Sequence, residues 1–129
     1  SYCQHLCKKY QLIQTCFDVL MFLANNPEYN TARDICEIRG IRTGMASVAV
    51  DFLVKNDYLL RQTDCDDRRI SRLNLTEKST AIIQEGRIIQ QSFGNRLTAG
   101  ISEKEMAAYM KTAQKLKENI LNLKGDSLC

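Results

Sequence analysis

Proline occurs once and glycine six times in 129 residues, which excludes a collagen-like, Pro-rich or wholly disordered chain. No apolar run approaches the ~20 residues that a membrane-spanning helix needs. The N-terminus also lacks a basic-then-apolar leader, so the expectation is a soluble, cytoplasmic protein with no membrane partner. Histidine is nearly absent, and His5 alone cannot build a histidine cluster. No His-Glu-x-x-His, phosphate-cradling glycine loop or nucleophile elbow occurs. No catalytic residue, no cofactor and no metal are therefore expected, and the chain does not read as an enzyme. Cys3, His5 and Cys7 are close in number, but on a helix Cys3 and Cys7 share a face while His5 points elsewhere, which is not zinc geometry. The six cysteines are scattered with no Cys-x-x-Cys, in a chain long enough to bury a core without staples. Reduced thiols are the expectation.

What is present is an ordinary globular composition, 44% hydrophobic and 26% charged, at a length typical of one domain. The net charge of +3 is mildly basic, compatible with nucleic acid without demanding it.

Helical periodicity dominates both ends. Ser1–Tyr10 reads as the last turns of a helix and Gln14–Asn25 as a second, followed by a loop around Pro27. Thr31 looks like an N-cap with Asp34 three residues on, opening a short helix that Gly40 closes. Thr43 is placed to cap the next helix, which runs to about Asn56 with Ala46, Ala49, Val50 and Leu53 in one apolar stripe. The period then changes. Tyr58–Thr63 and Ile70–Leu75 are rich in β-formers and flank the charged turn Asp64–Arg69, a hairpin. Thr76 is expected to start a long helix with Ile82, Gly86, Ile89, Phe93 and Leu97 on one face, broken at Thr98-Ala99-Gly100. Ser102 and Glu105 form a capping box for a last helix bearing Met106, Tyr109, Met110, Leu116, Ile120 and Leu123.

Two helices joined by a short Gly-containing turn and followed by a hairpin describe a winged helix–turn–helix. The predicted fold class is therefore mainly α with a small β-hairpin wing, flanked by dimerisation helices. The terminal helices carry apolar stripes wider than one thin domain covers, which points to a two-fold homodimer. One domain over 1–129 is expected, with a core at 14–75 and dimerisation helices at 1–10 and 76–124.

The run Asp67-Arg68-Arg69-Ile70-Ser71-Arg72-Leu73-Asn74-Leu75-Thr76-Glu77-Lys78 resembles the wing signature of MarR-type bacterial transcriptional regulators, Asp-x-Arg followed by Leu-Thr. Lys8-Lys9-Tyr10-Gln11-Leu12, Phe17-Asp18-Val19-Leu20 and Val50-Asp51-Phe52-Leu53 followed by Tyr58-Leu59-Leu60-Arg61 are similar to other parts of that family, in the same order. Departures from its pattern are Asp57 and Ser79 where glycines are usual and Phe52 where arginine is common; the chain is also expected to start partway through the first helix.

The resemblance implies a homodimeric, sequence-specific DNA-binding regulator, a repressor relieved by a small-molecule inducer or an oxidant. Its partner would be double-stranded DNA, a pseudo-palindromic operator with half-sites about one helical turn, ~10 bp, apart. In the recognition helix Arg42, Thr43, Met45, Ser47, Val48 and Asp51 are the expected DNA-facing residues, Arg42 for guanine or phosphate and Met45 and Val48 for thymine methyls. Phe52 is expected to tuck against the wing or the preceding helix. At the wing tip Arg68 and Arg69 are DNA-binding candidates, Arg69 entering the minor groove with Asp67 orienting it; a solvated charged turn is the plainer alternative. Some members of the family sense peroxide through a first-helix cysteine, which makes Cys3 and Cys7 possible redox residues; the alternative is small hydrophobes in an interface. Cys16 and Cys36 read as core and Cys65 as exposed. Between Arg33 and Arg72 eight basic residues meet seven acidic ones, so DNA binding needs the arginines gathered on one face. That near-balance keeps open a second reading, a winged-helix protein-interaction module that does not bind DNA tightly.

Overall fold

A computed structural model describes residues 3–125, which fall into two compact units divided between Phe93 and Gly94. The first unit begins with α1 (Gln4–Tyr10), which ends at Gln11 in the left-handed conformation, φ 55°, its amide bonded back to the Cys7 and Lys8 carbonyls. The second helix, α2 (Gln14–Asn25), buries Cys16, Phe17, Val19, Leu20, Met21, Phe22 and Leu23. A helix apolar nearly all round has to sit in the middle, and α2 does. Against it lie α4 (Thr43–Lys55) with Ala46, Ala49, Val50 and Leu53, and the start of α5 (Thr80–Leu97) with Ile82 and Ile83. Each fully buried Leu or Ile here contributes ~1.5–3 kcal/mol. Gly86 lets α5 come close: a Cβ there would stand 2.6 Å from Met21 Sδ and 3.0 Å from Phe17 Cζ.

Between α2 and α4 runs α3 (Ala32–Asp34). Its capping box is complete: the Asp34 amide donates to Thr31 Oγ1 at 3.1 Å and the Thr31 amide to Asp34 Oδ2 at 3.2 Å. The expected single short helix then departs from regularity, because Ile35–Arg39 winds as a π-helical segment before Gly40 closes it at φ 78°. Such widening depends on i→i+5 bonding, which has no side-chain signature in sequence.

The hairpin pairs β1 (Leu59–Thr63) with β2 (Ser71–Leu75), antiparallel, from Leu59 opposite Leu75 to Thr63 opposite Ser71. Leu59 and Leu73 point into the core, and the Leu73 amide donates to the Asn30 carbonyl at 2.8 Å, tying the wing to the loop before α3. Thr76 does not start α5 as expected. Its hydroxyl instead donates to the Asp57 carbonyl at 2.5 Å, and a 3₁₀ turn, Glu77–Ser79, intervenes. Ser79, fully buried, donates its hydroxyl to the Thr76 carbonyl at 2.7 Å. The fold class is as the periodicity predicts: mainly helical with one two-stranded hairpin, a winged helix.

In the second unit Gly100, at φ 79°, turns the chain. The Ser102 and Glu105 pair caps α6 (Glu103–Gly125), with each backbone amide donating to the other side chain at 3.0–3.1 Å. No described residue of α6 is buried; Leu116 and Ile120 are more than half exposed.

Candidate nucleic-acid interface

The burial of Ala46, Ala49, Val50 and Leu53 fixes which side of α4 faces out: Gly44, Val48, Asp51 and Lys55 lie opposite, with Met45 and Phe52 on one flank and Thr43 and Ser47 on the other. Thr43 does not cap this helix. Arg42 takes the cap position at φ −58° and ψ 141°, and no side chain bonds the first-turn amides. Thr43 is already helical, and the arginine side chain carries no acceptor, so neither supplies a cap. Arg42 is exposed, as are Thr43, Met45, Ser47, Val48 and Asp51. Asp51 is not an idle acidic group on this face, because it forms an ion pair with Arg61 of β1. Sequence spacing gave no sign of that pair, which depends on the hairpin folding back beside α4. Phe52, expected to be tucked away, is 41% exposed, because the helical phase set by Leu53 turns it outward.

At the wing tip Asp67 holds Arg69 through both carboxylate oxygens, Nε to Oδ1 at 3.1 Å and Nη2 to Oδ2 at 2.9 Å, and also accepts the Arg69 amide at 3.0 Å. The Arg69 side chain is 89% exposed even so. Those bonds from Arg69 hold the Asp67 carboxyl below its ordinary range. Arg68 is exposed beside it.

Sequence reasoning missed Asp64. Its Oδ2 accepts the Asp66 and Asp67 amides at 3.1 and 3.0 Å, and its Oδ1 accepts Arg72 Nε at 3.0 Å. Arg72 also reaches Asn30 Oδ1 at 3.1 Å. The Arg72 guanidinium, then the two amides, lower the Asp64 carboxyl. An Asp at the start of a tight turn is the available signal, since its side chain commonly bonds amides two and three residues on.

A cavity of about 510 Å³ lies between α3, α4 and the hairpin, lined among others by Cys36, Thr43, Ser47, Val50, Arg61 and Leu73. Cys36 is half-buried rather than fully core, Cys16 is buried and Cys65 exposed; the five described cysteines form no disulfide with one another, and Cys129 lies outside the described residues. Burial, then the Asp18 charge, pushes the Cys3 thiol up, and burial followed by the charges of Cys3 and Asp18 does the same to Cys7. No group of three or more metal-ligating side chains is gathered among the described residues, and none of their helices is long and apolar enough to cross a membrane.

A helix–turn–helix whose second helix is followed directly by a hairpin with an arginine at its tip defines a winged helix–turn–helix of the DNA-binding regulator class. Residues 10–70 match the model of the MarR family, and the winged helix of this chain is similar to that of MarR-type transcriptional regulators. Among solved structures, the transcriptional regulator PA3341 is similar over 94% of this chain and 88% of its own, at 25% identity and a TM-score of 0.80. A MarR family transcriptional regulator from Listeria monocytogenes, solved with a 26-mer DNA, matches 90% of this chain and 77% of its own at 22% identity and a TM-score of 0.74. MepR from S. aureus, solved as a DNA complex, covers 92% of this chain and 89% of its own at 16% identity and a TM-score of 0.64.

Proposed function

We propose that this protein is a sequence-specific DNA-binding repressor that acts as a homodimer and is relieved by a small ligand or an oxidant. The observation that carries the reading is Arg69: an almost fully exposed guanidinium, pre-oriented by Asp67, on a hairpin that follows the exposed face of α4. A narrow minor groove concentrates negative potential and attracts such a group. The first-turn amides of α4 and the exposed Arg42 supply a place for a backbone phosphate. Two relatives of the same fold, from Listeria monocytogenes and S. aureus, were solved on DNA, which supports the same partner here. The helices α1, α5 and α6 serve for dimerisation, and an operator of two related half-sites follows from the two-fold.

Release by a ligand is favoured over release by oxidation, because partial burial first, and nearby negative charge after it, raise the Cys3 and Cys7 thiols and so disfavour the reactive thiolate. The 510 Å³ cavity offers an apolar ligand simultaneous contact with α4 and the hairpin. Such a ligand shifts the recognition helix only if it binds the two positions unequally.

The test is selection of bound sequences from random duplex DNA, followed by a salt titration on the winner. The expected result is an enriched pseudo-palindrome whose affinity falls steeply with salt, as phosphate contacts release counterions. The exposed Met45, Val48 and Phe52 favour one competing reading, a protein-interaction module, for which no enriched duplex is expected.

A further inference from the structure

The hydrogen-bonding groups of the outward side of α4, Thr43, Ser47 and Lys55, sit on one flank and at its end, away from an apolar line on the other flank. Gly44 has no side chain, the Asp51 carboxylate is held by Arg61, and the line at i, i+3 and i+7 consists of Met45, Val48 and Phe52, which are 51%, 64% and 41% exposed. Three large apolar side chains left in water on a helix mark a surface that something covers. The charges around the line say what. Arg42 and Lys55 stand exposed at the two ends of α4, and Arg68 and Arg69 stand exposed at the wing tip. Cations bracketing an apolar strip match the major groove, where phosphates flank a floor whose one apolar group is the thymine methyl.

We infer that the Met45–Val48–Phe52 line selects operator half-sites by contact with thymine C5-methyl groups. Specificity along this line then comes from methyl positions rather than from donor and acceptor patterns, with the arginines setting register on the backbone. The inference rests on the DNA-binding reading above and says which chemistry of the duplex is recognised.

The experiment uses the full chain and the duplex selected from random DNA. Each thymine is replaced in turn by deoxyuridine, which loses the methyl and keeps every hydrogen bond. Under α4, each replacement is expected to weaken binding about three- to five-fold, the worth of one buried methyl. In Val48→Ala the sensitivity at one of those thymines is expected to vanish while the others persist. Specific binding that ignores deoxyuridine throughout the half-site overturns this inference and leaves the DNA-binding reading standing. Failure to prefer any duplex over random sequence overturns both, and points to a protein as the cover for the apolar line.

Discussion

Asp67 and Arg69 are two residues apart, and their two-point contact fixes a long side chain that would otherwise sample many rotamers in water. Pre-ordering of that kind favours binding rather than folding, since exposed ion pairs add little to stability. Arg69→Ala is therefore expected to weaken operator binding roughly 5- to 100-fold and to reduce the salt slope by about one for each phosphate no longer neutralised. Asp67→Ala is expected to weaken it less, and thermal unfolding to stay unchanged in both; fluorescence anisotropy at several salt concentrations is the measurement. Asp57 presents the opposite case, a residue whose backbone matters more than its side chain. It sits at φ 64°, in the left-handed region, at a position where the family resemblance implies glycine. A Cβ there costs about 1 kcal/mol, less for Asp than for branched residues. Asp57→Gly is expected to gain about 0.5–1 kcal/mol in urea unfolding, and Asp57→Val to lose about 1–2 kcal/mol.

The elements differ in how openly their sequences declare them. In α2 and α4 the apolar spacing sets extent and facing, and α2 runs over Gln14–Asn25 as the spacing predicts. The wing is decided differently, by Asp64 gathering two turn amides and Arg72, with Arg72 in turn bonded to Asn30. Because the folded Asp64 carboxyl lies below its unfolded value, its contribution is complete above about pH 4 and is lost as pH falls through the lowered folded value. The amide resonances of Asp66 and Asp67 are expected to titrate with a midpoint below about 3.9 in an NMR pH series. In Asp64→Asn that transition should disappear, with the helices unaffected. A wing whose tip turn is held in shape by its own hydrogen bonds suits presentation of the exposed Arg69 side chain to a groove.

For the whole molecule, the main question is what covers the apolar residues the chain leaves in water. In α6, Tyr109, Met110, Leu116, Ile120, Leu121 and Leu123 are all more than half exposed, and in the first unit Ile88 of α5 is 69% exposed. So much exposed apolar surface on a helix with no buried residue calls for a partner, and a second copy is the one proposed here. Leu116→Asp combined with Ile120→Asp is expected to give a monomer or an unfolded chain in sedimentation velocity at micromolar concentration. A folded wild-type monomer under the same conditions would count against the dimer.

Much of this was legible in the residues alone. Periods of 3.6 and 2, the Thr31 and Ser102 caps and the Gly40 and Gly100 stops delimit the helices and the hairpin, because they depend on neighbours a few positions away. The pairing of Asp51 with Arg61, the diversion of the Thr76 hydroxyl to Asp57 and the clasp of Arg72 on Asn30 were not legible. Each joins groups that approach only after the helices and the hairpin pack, and a polar side chain's choice among distant partners leaves no periodic trace. Local residue patterns therefore dictate the kinds of element and their order, while packing between those elements settles which side chains are engaged within the protein and which remain exposed.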